Sequence, residues 1–227
     1  MRGWVAGAVM MVLPIGGQTN SPTAPGTLVV LPEAAEAGSM SVEQALWERR
    51  SVRSYGTEPL TLMEIAQLLW AAQGISEPRE GFRTAPSAGA TFPLEVDLLV
   101  TRIPELPDGV YRYHPREHSL ELRVPGDQRR PLEDAALGQS SIGNAPVVMV
   151  ISGVTPRTAR RYGARAERYV HMEAGHAAQS IYLQGTALGI GTVAIGAFRD
   201  DGVAAALDLE RSEEPLYIMP LGRLLPR

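Results

Sequence analysis

The chain of 227 residues contains no cysteine. Disulfide bonds, thiolate metal sites and cysteine nucleophiles are therefore excluded for this chain. It also contains no lysine, so all 21 of its basic residues are arginines. Because Schiff-base catalysis and phosphate-binding P-loops require a lysine side chain, both kinds of site are excluded as well.

An excess of positive charge is also missing. The chain has 21 basic and 25 acidic residues, which gives a net charge of -4. This charge argues against nucleic acid as a partner. Apolar residues make up 44% of the chain and charged residues 20%, and both values are close to those of ordinary globular domains. We therefore expect one packed domain of moderate size.

Residues 1–17 contain one basic residue, Arg2, followed by an apolar run over residues 4–15. This pattern predicts a signal peptide or an anchor, although the run is shorter than the roughly 20 residues of a membrane-spanning helix. A downstream start at Met10, Met11 or Met40, or a disordered tail, explains the same pattern. Two locations thus stay open. The protein is either in the cytoplasm, free or anchored to the membrane and facing the cytoplasm, or it is exported through the N-terminal segment.

Residues 18–39 are rich in Pro, Ala, Thr and Ser, with a short apolar tetrad at residues 28–31. This composition favours a linker with an extended arm that embraces a partner subunit. We therefore predict that the folded domain occupies residues 40–227.

Within that domain, helical and strand patterns are mixed. Two capping boxes, Ser41 with Gln44 and Thr61 with Glu64, predict helix starts, and Gly74 predicts the end of the second helix. The other predicted elements are strands at 95–100, 147–151, 192–195 and 216–219, a hairpin of 110–113 with 120–124, a helical tract over 155–188, and a short helix after Asp200. The hairpin interrupts the alternation of strands and helices, so the fold class is α+β.

Two motifs resemble known sites but stand in the wrong context. The segment from Gly189 to Ala194 matches a dinucleotide-binding pattern, yet it follows a helix instead of preceding one, so a role of Gly189 in ending the helix is favoured. His171 and His176 flank Glu173 at a spacing of five, which does not bring both imidazoles to one helical face. A structural role is favoured for these residues, and no metal site is predicted.

Arginines form two clusters. Arg49, Arg50 and Arg53 surround Ser51, and guanidinium groups with a hydroxyl in so short a segment suit a phosphate, while a basic surface turn is the alternative. The second cluster recurs at helical spacing over residues 157–168. It is either a solvated helix face or a contact for an anionic substrate.

Sequence blocks spread over residues 28–223 resemble, in order, the FMN-dependent nitroreductase superfamily, and its SagB/ThcOx-type dehydrogenase branch in particular. The blocks include Arg-Arg-Ser-Val-Arg at 49–53, Pro-Ser-Ala-Gly at 86–89, His-Met-Glu-Ala-Gly-His at 171–176, Ile-Gly-Ala-Phe at 195–198 and Pro-Leu-Gly-Arg at 220–223. Each block is weak alone, and their common order carries the resemblance.

The resemblance implies a nitroreductase-like, three-layer α/β/α fold with a mixed, largely antiparallel central sheet, working as a homodimer with FMN sites at the interface. It implies that the 49–53 segment and the last arginine hold the FMN phosphate and ribityl chain, that residues 86–89 reach the flavin from the partner subunit, and that the 195–198 turn presents N–H groups near flavin N5. The cofactor-binding residues implied are Arg49, Arg50, Ser51, Arg53, Pro86, Ser87, Ala88, Gly89, Gly196, Ala197 and Arg223.

The activity implied is hydride transfer between flavin and a small organic substrate, with NAD(P)H as a co-substrate. Azoline oxidation on a peptide is the alternative, but the Lys-Tyr pair of those dehydrogenases aligns with Arg161 and Tyr162. Arginine stays protonated and cannot accept a proton, which leaves Tyr162 as the candidate catalytic residue. A non-catalytic flavin-binding or scaffold protein of the same fold is the third possibility.

Overall fold

The computed structural model describes residues 24–225, which form seven α-helices and nine β-strands. The strands are β1 (Leu28–Val30), β2 (Ile75–Glu77), β3 (Phe82–Arg83), β4 (Leu94–Val100), β5 (Gly109–His114), β6 (Ser119–Pro125), β7 (Val147–Gly153), β8 (Ile190–Thr192) and β9 (Glu214–Arg223). The helices are α1 (Val42–Glu48), α2 (Leu62–Gln73), α3 (Arg129–Ala135), α4 (Ser140–Asn144), α5 (Thr155–Tyr162), α6 (Ala166–Ala187) and α7 (Asp200–Leu207).

Seven of the strands form one sheet in the order β1-β6-β5-β4-β7-β9-β8. Every ladder of this sheet is antiparallel. The parallel contact within residues 24–225 is an isolated bridge between Ser51 and Thr192. The predicted α+β class with a largely antiparallel central sheet is confirmed.

The central strand β7 shows why helices cover both faces of the sheet. Its side chains alternate between two hydrophobic clusters: Val147, Met149 and Ile151 belong to the cluster with α2 and α6, whereas Val148 and Val150 belong to the cluster with α3 and α7. A strand that is apolar on both faces must be covered on both. The three layers predicted from the sequence are therefore present.

The second predicted capping box forms in full, and the first forms in part. The Thr61 hydroxyl accepts from the Glu64 N–H, while the Glu64 carboxylate accepts from the Thr61 N–H at 2.9 Å. At α1 the Ser41 hydroxyl accepts from the Gln44 N–H, but the Gln44 side chain donates to Glu48 instead of returning to the cap. Both helices begin where the caps predict.

Three predicted elements differ from the structure. The helical tract over 155–188 is two helices, because Gly163 adopts a positive φ of 53° after Tyr162 and lets the chain change direction. The strand predicted at 192–195 lies at Ile190–Thr192, and only Ile195 of the remainder forms a bridge, with Ile218.

The third difference is the arm at residues 28–31. Its strand β1 pairs with β6 of its own chain, and Leu31 is buried in the core, so the folded sheet includes residues before the predicted domain start at residue 40. Contact of the arm with a partner subunit stays a prediction. The unpaired edge of β6 supplies backbone hydrogen bonds that an amphipathic tetrad satisfies. The predicted signal or anchor segment lies outside the described residues. Within residues 24–225, no helix has the length and apolar character needed to cross a membrane.

Candidate functional site

The arginine segment at 49–53 lies directly after α1 and runs alongside β8. Val52 N–H donates to the Thr192 carbonyl at 2.8 Å, which holds the segment against the sheet. The Arg49 guanidinium lies 5.0 Å from the centre of the Tyr182 ring, a cation–π distance. Arg50 donates to the carbonyls of Trp47 and Arg49 at 2.8 and 2.7 Å, so its charge is turned toward the C-terminus of α1.

The hydroxyl of Tyr182, on α6, joins this segment to the turn at 194–198. It lies 3.2 Å from the Ser51 hydroxyl and accepts from the Ala194 N–H at 2.7 Å. Among the described residues, the buried Thr192 hydroxyl beside them has no hydrogen-bond partner. An unpaired buried hydroxyl next to exposed arginines is the kind of group that a polar ligand satisfies.

The turn at 194–198 borders a cavity of about 360 Å³. Within residues 24–225 the N–H groups of Gly196 and Ala197 have no backbone acceptor, and a side chain at Gly196 would meet no atom within 4 Å. The cavity has a mixed lining of aromatic, aliphatic and polar residues: His171, Ala174, Gly196, Phe198, Asp200, Glu214, Pro215, Leu216 and Tyr217. Free N–H groups beside the rings of Phe198 and Tyr217 suit a flat heteroaromatic ring that carries polar atoms at its edge.

Helix α6 runs from the arginine segment to the cavity. His171, Ala174, Ala178 and Tyr182 recur at spacings of three and four residues, so they share one face of the helix. Tyr182 lies at the arginine end, and His171 and Ala174 lie at the cavity. The arginine end and the cavity thus lie roughly 12–16 Å apart along the helix, at 1.5 Å per residue, and we refer to the surface between them as the groove.

The loop at 86–89 lies against α5 and the start of α6. The Ser87 hydroxyl accepts from the Phe92 N–H at 2.9 Å, and the Gly89 carbonyl accepts from Arg161 at 3.1 Å. A side chain at Gly89 would come within 2.7 Å of the Tyr162 hydroxyl. The candidate catalytic Tyr162 is therefore adjacent to the predicted cofactor loop of the same chain.

Glu173, only 2% exposed, packs beneath this loop. Among the described residues neither of its carboxylate oxygens has a hydrogen-bond partner within 3.5 Å, although the Ser87 hydroxyl and the Ala88 N–H lie close enough to favour its charged form. Burial raises the pKa of Glu173 to about 7, against the opposing effects of the Ser87 hydroxyl and the Arg83 guanidinium. Nine residues separate Glu173 from Tyr182, which places their side chains roughly half a turn apart around the helix.

The structure therefore brings together only part of the predicted site. Arg49, Ser51 and Gly196 border the groove on one side of α6. Arg53 is exposed at the end of its segment, and Ala197 follows Gly196 in the turn. The loop at 86–89 lies near Glu173, on the other side of the same helix. Within one chain the loop and the groove face different ways.

Arg223 is engaged by an acidic partner that sequence reasoning missed. Its guanidinium donates to both carboxylate oxygens of Glu64 at 2.6 and 2.8 Å. Although burial acts to raise the pKa of Glu64, hydrogen bonds from Arg223 and Thr61 hold that pKa below its usual range. The bidentate pair joins the end of β9 to the start of α2, close to the arginine segment, because Gly56 N–H donates to the Arg223 carbonyl.

Tyr182 was also missed, because a single tyrosine inside a long helix carries no motif. His171 and His176 are exposed while Glu173 is buried, so the three side chains diverge as their spacing predicts. In the described part of the chain, no cluster of three metal-ligating side chains is present.

Comparison with known proteins gives the family. Residues 46–223 match the model of the nitroreductase family. The chain is 45% identical, over 86% of its length and 96% of the other protein, to MJ1384 of Methanocaldococcus jannaschii, which is named as a candidate nitroreductase. It is 26% identical to the trifolitoxin operon protein TfxC of Rhizobium leguminosarum bv. trifolii, over 86% of this chain and 59% of that protein.

A solved structure agrees with these matches. The crystal structure of a candidate nitroreductase from Ralstonia eutropha superposes with a TM-score of 0.77 at 30% identity, covering 89% of this chain and 94% of that one. The match of the family model over most of the chain, together with this shared fold, leads to one conclusion: the chain belongs to the nitroreductase family.

Proposed function

We propose that this protein is an FMN-dependent oxidoreductase that transfers hydride between flavin and a small organic substrate. The observation that carries the proposal is the Tyr182 hydroxyl, which joins the arginine segment to the glycine turn through Ser51 and the Ala194 N–H. These two segments are far apart in sequence, and both are the ones that the family resemblance assigns to FMN. The groove between them has a cationic end and a cavity end with aromatic, aliphatic and polar lining.

The cationic end suits the FMN phosphate. Arg49 and Arg53 offer two guanidinium groups, and the hydroxyls of Ser51 and Thr192 offer hydrogen bonds. Arg50 already donates to carbonyl oxygens, so its contribution to phosphate binding is secondary. The charge of Arg223 is neutralised by Glu64, so in this arrangement Arg223 stabilises the position of the arginine segment at 49–53. Charge-assisted hydrogen bonds to a dianion are among the strongest polar contacts in proteins.

The cavity end suits the flavin ring. FMN, when bound, supplies the hydride chemistry. The chain's contribution is to offer the N–H groups of Gly196 and Ala197 to ring atoms, and to shield the ring with Phe198 and Tyr217. The remaining cavity admits a flat organic substrate, or the nicotinamide of NAD(P)H as hydride donor.

The site is proposed to be shared between two subunits. Because the loop at 86–89 lies on the side of α6 opposite the groove, it cannot close over the groove of its own chain without leaving α5. In a homodimer, the loop of the partner subunit covers the groove instead. Tyr162, adjacent to that loop, would then act as proton donor or acceptor in the site of the other subunit.

Reconstitution with FMN tests the proposal. Purified protein is expected to bind FMN at micromolar concentration, and Arg53→Ala is expected to weaken binding about tenfold or more, since a charge-assisted hydrogen bond contributes about 1.5–3 kcal/mol. Arg116→Ala is the matched control, because Arg116 is exposed in the β5–β6 turn. A wild-type protein that binds no FMN at these concentrations would contradict the proposal.

Two alternatives are separated by their substrates. An azoline dehydrogenase would convert azoline-containing peptides to azoles, but Arg161 donates to the Gly89 carbonyl and keeps its proton, so no general base stands at this position. A non-catalytic flavin-binding protein would hold FMN that neither NADH nor NADPH reduces. Anaerobic absorbance spectra with NADH, NADPH and an azoline peptide distinguish the three.

We also propose that the catalytic domain works where FMN and NAD(P)H are supplied, in the cytoplasm or facing it. N-terminal sequencing of protein from its native host tests the location. An intact Met1 or a start at Met40 supports it, whereas a start near Gln18 in an extracytoplasmic fraction overturns it.

A further inference from the structure

The loop that runs from residue 86 to residue 92 holds an unusual backbone conformation. Gly89, Ala90 and Phe92 all have positive φ, at 60°, 53° and 44°. For Ala90 and Phe92 this conformation is intrinsically unfavourable, because Cβ approaches the neighbouring carbonyl oxygen. A loop of this shape persists only where its surroundings impose it.

Helix α5 supplies contacts that impose this shape. Arg161 donates to the Gly89 carbonyl at 3.1 Å, and Arg157 donates to the Phe92 carbonyl at 3.2 Å. Between them the hydroxyls of Thr91 and Thr158 lie 2.9 Å apart. Three residues within about one turn of one helix therefore hold the second half of the loop, at Gly89, Thr91 and Phe92.

The two arginines differ in what else they hold. Arg157 also forms an ion pair with Glu95 on β4, so it has a second structural task. For Arg161, the contacts near the loop are the Gly89 carbonyl and the face of Tyr162, 5.7 Å from its guanidinium carbon to the ring centre. Of the two, Arg161 is the more specific to the loop.

We propose that Arg161 is a positioning residue that holds the 86–92 loop in the shape presented to the flavin site of the partner subunit. The inference rests on the proposed function, and it assigns to Arg161 a role that acts across the dimer. Where the related dehydrogenases have a lysine that takes part in activity, Arg161 instead positions the loop. Loss of Arg161 therefore weakens FMN binding in the groove of the partner subunit and not in the groove of its own chain.

Mixed dimers test whether the effect crosses the interface. Arg161→Ala damages the loop and Arg53→Ala damages the groove, so each homodimer is expected to bind FMN at least about tenfold more weakly than wild type. A dimer with one Arg161→Ala chain and one Arg53→Ala chain, purified with two affinity tags, is expected to regain one tight site per dimer. That site combines the intact groove of one chain with the intact loop of the other.

The matched control places both substitutions in one chain and pairs it with a wild-type chain. Each site then carries one damaged half, so no tight FMN site is expected although the number of substitutions is the same. Tight binding in this control with none in the split arrangement would overturn the action across subunits. Arg160→Ala, on an exposed side chain of the same helix, is expected to bind FMN as wild type does.

Folding is monitored separately by the melting temperature of each apoprotein. If Arg161→Ala does not fold, Arg161→Lys replaces it, since lysine can donate one hydrogen bond to the carbonyl but lacks the rigid fork, and intermediate FMN affinity is expected. Wild-type affinity in a folded Arg161→Ala homodimer overturns the inference and leaves the proposed function standing. Absence of FMN binding by wild type overturns the proposed function itself.

Discussion

The folded structure disfavours the ionised form of the Glu173 carboxyl. Its carboxyl is 2% exposed, and burial raises its pKa to about 7 from an ordinary value of 4.5. Between about pH 4.5 and 7, Glu173 is therefore protonated in the folded protein but ionised in the unfolded chain. Stability contributed by the protonated carboxyl is present below pH 4.5 and is lost as the pH rises through 7.

Glu173→Gln removes this dependence, because the amide does not titrate. The free energy of unfolding of the variant is expected to rise relative to wild type between pH 5 and pH 8, by up to about 3 kcal/mol at 1.36 kcal/mol per pKa unit. Thermal unfolding at several pH values measures it. Glu167→Gln, exposed on the same helix, is the matched control. A stability difference between Glu173→Gln and wild type that does not change with pH would contradict the assignment.

At the scale of elements, a buried charge cluster ties three strands together. Arg112 on β5 donates to both carboxylate oxygens of Asp97 on β4, at 2.8 and 3.0 Å, and to both oxygens of Glu213, just before β9, at 2.7 and 2.8 Å. All three residues are buried. Burial raises the pKa of Asp97 to about 6, although Arg112 opposes the shift.

Arg112→Leu leaves two buried carboxylates without their cation. Breaking such a cluster on one side typically costs about 3–5 kcal/mol, because the remaining charges stay desolvated. Urea unfolding at pH 8 is expected to show this loss, and a smaller one at pH 5.5, where Asp97 takes up a proton. Arg116→Leu in the exposed β5–β6 turn is the control, and a loss that does not shrink at pH 5.5 would mean that the cost is packing alone.

Local signals in the sequence predicted most of the long elements, but they missed the short helices α3 and α4 and the β2–β3 hairpin, and distant pairings escaped them. The Thr61 capping box and the apolar alternation of residues 147–151 depend on neighbours in sequence, so a helix start and a doubly covered strand could be predicted from them. The pairing of Arg223 with Glu64 joins positions 159 residues apart, and no local pattern encodes it. Strand β1 escaped prediction for the same reason, since its partner β6 lies about 90 residues further along the chain.

The candidate site was predicted as segments and not as an arrangement. The resemblance supplied residues 49–53, 86–89 and 195–198, but only the structure places Tyr182 between the first and the last of them. It also shows the loop on the far side of α6, near Glu173. Which segments share a groove depends on the helical phase of α6 relative to the sheet, and amphipathic patterning fixes that phase only approximately.

For the whole molecule, a shared site requires a surface on which two chains meet, and α1 with the start of α2 offers one. Trp47 is 81% exposed, and Val42, Leu46 and Met63 on the same two helices are each more than half exposed. Exposed apolar side chains that include a tryptophan are typical of a protein interface. The arginine segment at 49–53 follows directly after α1, so this surface borders the phosphate end of the groove.

Trp47→Glu is therefore expected to separate the dimer and to abolish tight FMN binding, because burying an unpaired carboxylate at an interface costs several kcal/mol and a lone chain lacks the covering loop. Light scattering measures the mass, and FMN titration of the same sample measures occupancy. Leu137→Glu is the matched control, since Leu137 is 62% exposed in the turn between α3 and α4, in the other helical layer. A Trp47→Glu protein that remains dimeric would move the interface elsewhere, and a monomer with full FMN occupancy would rule out the shared site.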